Sequence, residues 1–141
     1  MIESPRPVRL NNPGDIESGT AWIGLSQKQD DPRFCGFESA EYGFRALCKI
    51  LLTYHRVDGL NTISQMIARW APPEENDTQA YIAFVSKQTG IDADAPLDLS
   101  DTAILAKIAF AISIEEAGHK EDRSTWFTEA QAEAGAQMAL A

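Results

Sequence analysis

The sequence predicts a mainly α-helical domain with a small loop or short-strand lobe near the N-terminus. Three observations lead there. Beyond residue 38, apolar residues recur at three- and four-residue spacing in one segment after another. Most of these segments open on Ser, Thr, Asn or Asp, and several close on Gly or Pro. The first 36 residues instead mix Gly, Pro, Asn and Asp with short apolar stretches.

Residues 1–36 read mostly as loop, with a short strand at Thr20 to Leu25 (TAWIGL). Phe34 and Phe37 pack down after the turn QKQDDPRFCGF. A helix runs from about Ser39 to His55, with Ser39 as cap and Glu41 at the positive helix end. Its buried face is Ala40, Phe44, Leu47, Leu51 and Tyr54. Thr62 and Gln65 have capping-box spacing, and a short helix to Trp70 follows, stopped by Ala71-Pro72-Pro73. Asn76 or Asp77 caps the next helix, Thr78 to Thr89, and Gly90 sits where a left-handed cap belongs.

Ser100 or Asp101 starts the helix Thr102 to Ala117, TAILAKIAFAISIEEA, which is apolar nearly all round and so predicts the centre of the core. Gly118 ends it. The alanine-rich stretch from Ser124 onward predicts a weaker final helix, its start pinned by Trp126 and Phe127. The whole chain, 1–141, is expected to be one domain.

Composition narrows the function classes. The net charge of −9 argues against a nucleic-acid partner, which demands a basic footprint, and against an anionic membrane surface. No run of eighteen apolar residues occurs, so no membrane span is expected. MIESPRPVRL lacks the apolar centre of a signal peptide, so the expected location is cytoplasmic in the producing cell. Cys35 and Cys48 do not make a disulfide framework, and His55 and His119 are too scattered for a metal site. No Walker or dinucleotide motif is present, and neither metal nor organic cofactor is expected.

Candidate chemistry collects at a few positions. At 100° per residue, Leu105, Ala109, Ile112 and Glu116 share one stripe of their helix, while Glu115 falls with Ile104, Ile108 and Ala111. A carboxyl on an apolar wall at a helix C-terminus is held protonated, as a general acid requires. The same pair also fits a solvated last turn. Asn11, Asn12 and Asp15 on the turn NNPGD can hydrogen-bond a substrate or close their own turn. Glu41 is either a helix-end charge or the second carboxylate of a hydrolytic pair. Trp22, Trp70 and Trp126 offer faces for sugar stacking or anchors for the core.

Three blocks carry a resemblance. They are Arg9-x-Asn11-Asn12-Pro13-Gly14-x-Ile16 with Trp22-x-Gly24; Phe34-x-x-Phe37-x-Ser39-x-x-x-Gly43-x-Arg45-Ala46; and Ile67-x-x-Trp70-Ala71-Pro72-Pro73-Glu74-x-Asn76-Asp77-Thr78-x-x-Tyr81. Together they resemble small structural or lysozyme-like muralytic domains of tailed phages and prophages. Glu116-Ala117-Gly118 resembles the glutamate–small residue–glycine end of the buried helix in lysozyme-like wall hydrolases, displaced along the chain as in a circular permutation.

The resemblance implies a lysozyme-like fold and cleavage of peptidoglycan glycan strands by a muramidase or lytic transglycosylase, acting on the periplasmic wall. It implies Glu116 as general acid, Asn11 and Asn12 shaping the cleft, and Ser39 and Glu41 near its edge. Trp22, Trp70 and Asp15 complete the candidate substrate contacts. Asp15 stands where the family has asparagine, and Ala117 where it often has asparagine. The alternative is a noncatalytic virion or protein-binding module on the same fold, with a phage tail or other protein as partner.

Overall fold

The computed structural model describes residues 4–141, which contain six helices. They are α1 (Arg6–Arg9), α2 (Ala40–Arg56), α3 (Ile63–Trp70), α4 (Thr78–Thr89), α5 (Thr102–Ala117) and α6 (Glu129–Leu140). The fold is mainly α-helical, as the periodicity predicts.

Local chemistry explains the helix boundaries. Ser39 Oγ accepts the Tyr42 backbone N–H at 3.3 Å, and Thr62 Oγ1 accepts that of Gln65 at 3.1 Å. The Gln65 side chain then accepts from Asn61 N–H rather than from Thr62, so the capping box is displaced by one residue. Asp77 and Asp101, not their neighbours Asn76 and Ser100, cap α4 and α5. Thr128 and Gln131 form a reciprocal capping box that starts α6. Gly90 (φ 74°) and Gly118 (φ 72°) end α4 and α5 in backbone conformations that side chains disfavour.

Helix α1 was not expected in the N-terminal stretch. Pro5 and Pro7 read as loop punctuation, yet proline is tolerated in the first helical turn, where its missing N–H would have no intrahelical partner.

Helix α5 is the axis of the core. Leu105, Ala106 and every residue from Ile108 to Ile114 are buried. Helix α6 lies across α2 and α5, α4 packs on α3 and α5, and α1 touches α5. Phe127, just before α6, meets Phe44 edge-on, with ring centroids 5.6 Å apart. Cys35 and Cys48 are free and buried, and burial pushes the Cys48 thiol up to about 12.

The N-terminal lobe departs from the expected strand. Residues 20–25 form no ladder; Leu25 alone pairs, in an isolated antiparallel bridge to Phe37, and a second bridge joins Glu17 to Phe34. The reason lies at Gly24. Its φ of 85° turns the chain, and the absent side chain leaves room for the Tyr42 ring. A β-branched, alternating segment thus becomes a loop pressed onto α2.

Gly135 shows how closely α6 and α2 approach. A Cβ there would stand 2.7 Å from the backbone nitrogen of Arg45 and collide with the Phe44 side chain. Alanine is the better helix former, yet Gly135→Ala is expected to destabilise the fold by about 2 kcal/mol through overpacking. Urea denaturation of the two proteins checks the sign.

Candidate active site

An open cleft of about 480 Å³ lies between the N-terminal lobe and the helices. Arg6, Gly14, Asp15, Glu17, Arg33 and Phe34 line one side; Ile50, Tyr54, Trp70, Glu75, Asn76 and Glu116 line the other. Of the sequence-derived candidates, the cleft therefore gathers Glu116, Asp15 and Trp70.

Glu116 sits where the helical stripe places it. Its helix has Leu105, Ala109 and Ile112 fully buried, and Glu116 itself is half-buried while Glu115 is exposed. Burial raises the Glu116 pKa above the ordinary carboxyl range, and the nearby Asp15 and Glu115 charges push the same way. Hydrogen bonding opposes them. The Tyr81 hydroxyl donates to Glu116 Oε2 at 2.7 Å, and the Trp70 indole N–H donates to the Tyr81 oxygen at 3.1 Å. From that position the Trp70 N–H also favours the charged carboxylate. The net direction remains upward, so desolvation prevails.

Asp15 approaches from the other side. Arg6 grips it with Nε at 3.0 Å and Nη2 at 2.5 Å, a bidentate pair whose aspartate side chain is only 13% exposed. The Arg6 guanidinium in turn lies 3.7 Å above the Phe34 ring. Arg33 pairs with Glu17 beside it. Glu75 and Asn76 also border the cleft.

The remaining candidates lie outside the cleft lining. Asn12 is fully buried; its Nδ2 donates to the Ile16 and Cys35 carbonyls, and its Oδ1 accepts the Ile16 N–H, each at 2.9 Å. Asn11, at φ 51°, donates to the Phe37 carbonyl at 3.1 Å. Asn12 thus ties its own turn to the Cys35 segment, whereas Asn11 reaches across to Phe37. Ser39 is the cap of α2. Glu41, one residue into α2, does not line the cleft, so the carboxylate opposite Glu116 is Asp15. Trp22 packs against the core with its indole N–H buried, and it too lies outside the cleft lining.

Sequence reasoning missed Tyr81 and Arg6. Tyr81 occupies the apolar side of α4, and its pairing with Glu116 spans two helices. The Trp-Ala-Pro-Pro-x-Glu-Asn-Asp-Thr-x-x-Tyr block was the available signal, because it holds both Trp70 and Tyr81.

Protein P5 of Pseudoalteromonas phage PM2 is 41% identical to this chain over 117 residues, covering 80% of this chain and 72% of the relative. The chain belongs to the Protein P5 family. No family model matches it. The relative is a phage protein, so the phage ancestry implied by the sequence blocks stands. Among the described residues no helix is long and apolar enough to cross a membrane.

Two measurements test these assignments. Because the folded protein holds the Glu116 proton more tightly than the unfolded chain does, folding takes up a proton between the ordinary and the raised pKa. The stability Glu116 contributes is thus full below the ordinary value and is lost as pH rises through the raised one. Glu116→Gln should melt level with wild type at about pH 4 and above it at about pH 7. Asn12→Ala leaves the Ile16 N–H and the Cys35 carbonyl without a partner, while the Ile16 carbonyl keeps the Cys35 N–H, and should cost about 3 kcal/mol in chemical denaturation.

Proposed function

We propose that this protein cleaves the glycan strands of peptidoglycan, with Glu116 as the general acid, on a single lysozyme-like domain. The observation that carries the reading is the state of Glu116. It is a carboxyl mounted on the end of the core helix, biased toward its protonated form, and open to a cleft. Glycosidic cleavage needs such a group to protonate the departing sugar oxygen. Trp70 supplies an aromatic face beside it for a sugar ring.

Two routes lead from there. In hydrolysis a second carboxylate activates water or attacks the sugar. In the transglycosylase route the substrate's own acetamido oxygen attacks C1 as Glu116 protonates the departing oxygen; the C6 hydroxyl of the same sugar then displaces the acetamido oxygen, giving its proton back to Glu116 and leaving a 1,6-anhydro sugar. Both Asp15 oxygens are engaged by Arg6, which favours the route that asks no covalent step of Asp15. The same pair also supports a noncatalytic virion or protein-binding module, since it leaves the second carboxylate occupied. Phage ancestry suits either role, as a wall-opening enzyme or as a component that meets another virion protein.

Digestion of purified peptidoglycan, with soluble products analysed by mass, tests the reading. Wild type should release glycan fragments one water lighter than hydrolysis products. Glu116→Gln should lose at least about 100-fold in rate while keeping its fold. Absence of fragments from wild type across pH and salt would establish the noncatalytic module instead.

A further inference from the structure

Glu116 has two oxygens, and the structure treats them differently. The Trp70 indole N–H can only donate, and it points at the Tyr81 oxygen. With its oxygen engaged as an acceptor, Tyr81 has one proton to place, and Glu116 Oε2 lies 2.7 Å away. The chain of donors therefore runs one way, from Trp70 through Tyr81 to Oε2. Oε2 is an acceptor whether or not the carboxyl is protonated. Among the described residues the one side-chain hydrogen bond made directly to the carboxyl falls on Oε2, with the Trp70 N–H aimed at the Tyr81 oxygen behind it.

We propose that Tyr81 is a positioning residue that occupies Oε2 of Glu116 and so reserves Oε1 as the oxygen that delivers the acid proton. This deepens the glycan-cleavage reading and rests on it. A carboxyl free to turn would present either oxygen to the leaving group. One pinned at Oε2 presents Oε1 in a fixed direction, which is what proton transfer in the transition state requires.

The support behind the pin is rigid. Tyr81 is 3% exposed, and burial raises its own pKa, so its hydroxyl stays a donor. The Trp70 ring is backed by Gly14, where a Cβ would stand 3.2 Å from Trp70 Cη2. The NNPGD turn thereby limits how far the indole can move. The groups that face Glu116 are Tyr81 from α4, Asp15 and Arg6 from the N-terminal lobe, Glu115 on its own helix, and Glu75, Glu17, Arg33 and Tyr54 around the cleft. Tyr81 donates the direct hydrogen bond to the carboxyl, at Oε2, and the Trp70 N–H behind it from α3 favours the charged form as well.

Carbon-13 NMR of the carboxyl groups follows the Glu116 titration directly, with or without turnover. Spectra of wild type, Tyr81→Phe and Trp70→Phe are compared, and peptidoglycan cleavage is measured beside them. Removing the Tyr81 hydroxyl takes away a donor to the charged form. The Glu116 midpoint should move upward, the alkaline limb of the kcat profile should follow it, and kcat should fall about tenfold with KM unchanged.

Trp70→Phe keeps the Tyr81 hydroxyl but loses the polarising donor, so the midpoint should move in the same direction by less. A Tyr81→Phe protein with an unmoved midpoint overturns the proposal, whatever its melting temperature. Should that variant fail to fold, an unmoved midpoint in Trp70→Phe overturns it. Wild type that releases no glycan fragments overturns the enzymatic reading and the acid-delivery role with it; a moved midpoint would then show only that the hydrogen bond exists.

Discussion

The architecture depends on a buried amide. Asn12 sits fully out of water and spends its hydrogen-bonding capacity on three backbone groups from the two arms of the N-terminal lobe. That lobe has no sheet ladder among the described residues and little regular backbone pairing. The amide does for it what a strand pair would otherwise do. Helix α2 makes room for the same turn at Gly43, where a Cβ would collide with the Asn11 carbonyl and stand 2.6 Å from the Pro13 ring. Two residue choices, one polar and one absent side chain, thus set where Asp15 arrives at the cleft.

Across the cleft the constraint is of the opposite kind. Helix α5 is held by apolar contacts on nearly every side, so its rotation is determined by packing alone. Glu116 inherits that rotation. Its carboxyl is carried to the border of the core and partly dehydrated there, at the helix end where the dipole is least hospitable to negative charge. Tyr81 and Trp70 return part of the lost solvation. The result is a carboxyl neither fully solvated nor silenced, and its environment comes from four separate segments of chain.

How much was legible follows from the range of each signal. Ser39, Thr62, Asp77, Asp101, Gly90 and Gly118 act on backbone within a few residues, so the helices from α2 to α5 could be bounded from sequence. The stripe that separates Glu116 from Glu115 is likewise a property of one helix. The partner carboxylate was not legible. The sequence offers Glu41 as the second carboxylate and Asp15 only as a substrate contact, and only the approach of the lobe to α5 brings Asp15 to the cleft. Asn12 illustrates a further limit, because an amide that binds substrate and an amide that binds backbone have the same one-letter code. Gly24 illustrates another: Thr20 to Leu25 has strand composition, but the close contact with Tyr42 is tertiary.

The meeting of α2 with α6 has a consequence for how the molecule is made. Helix α2 is synthesised before the surface that covers Phe44 and its neighbours, because that surface comes from Phe127 and α6, far downstream in sequence. Until those residues emerge, the part of α2 around Phe44 lacks the cover that α6 supplies, and closing it carries the entropy of a long loop. Native packing of that face therefore waits for the synthesis of α6. A ribosome-bound or prematurely terminated chain presents an apolar helix face, the kind of surface that chaperones and proteases recognise.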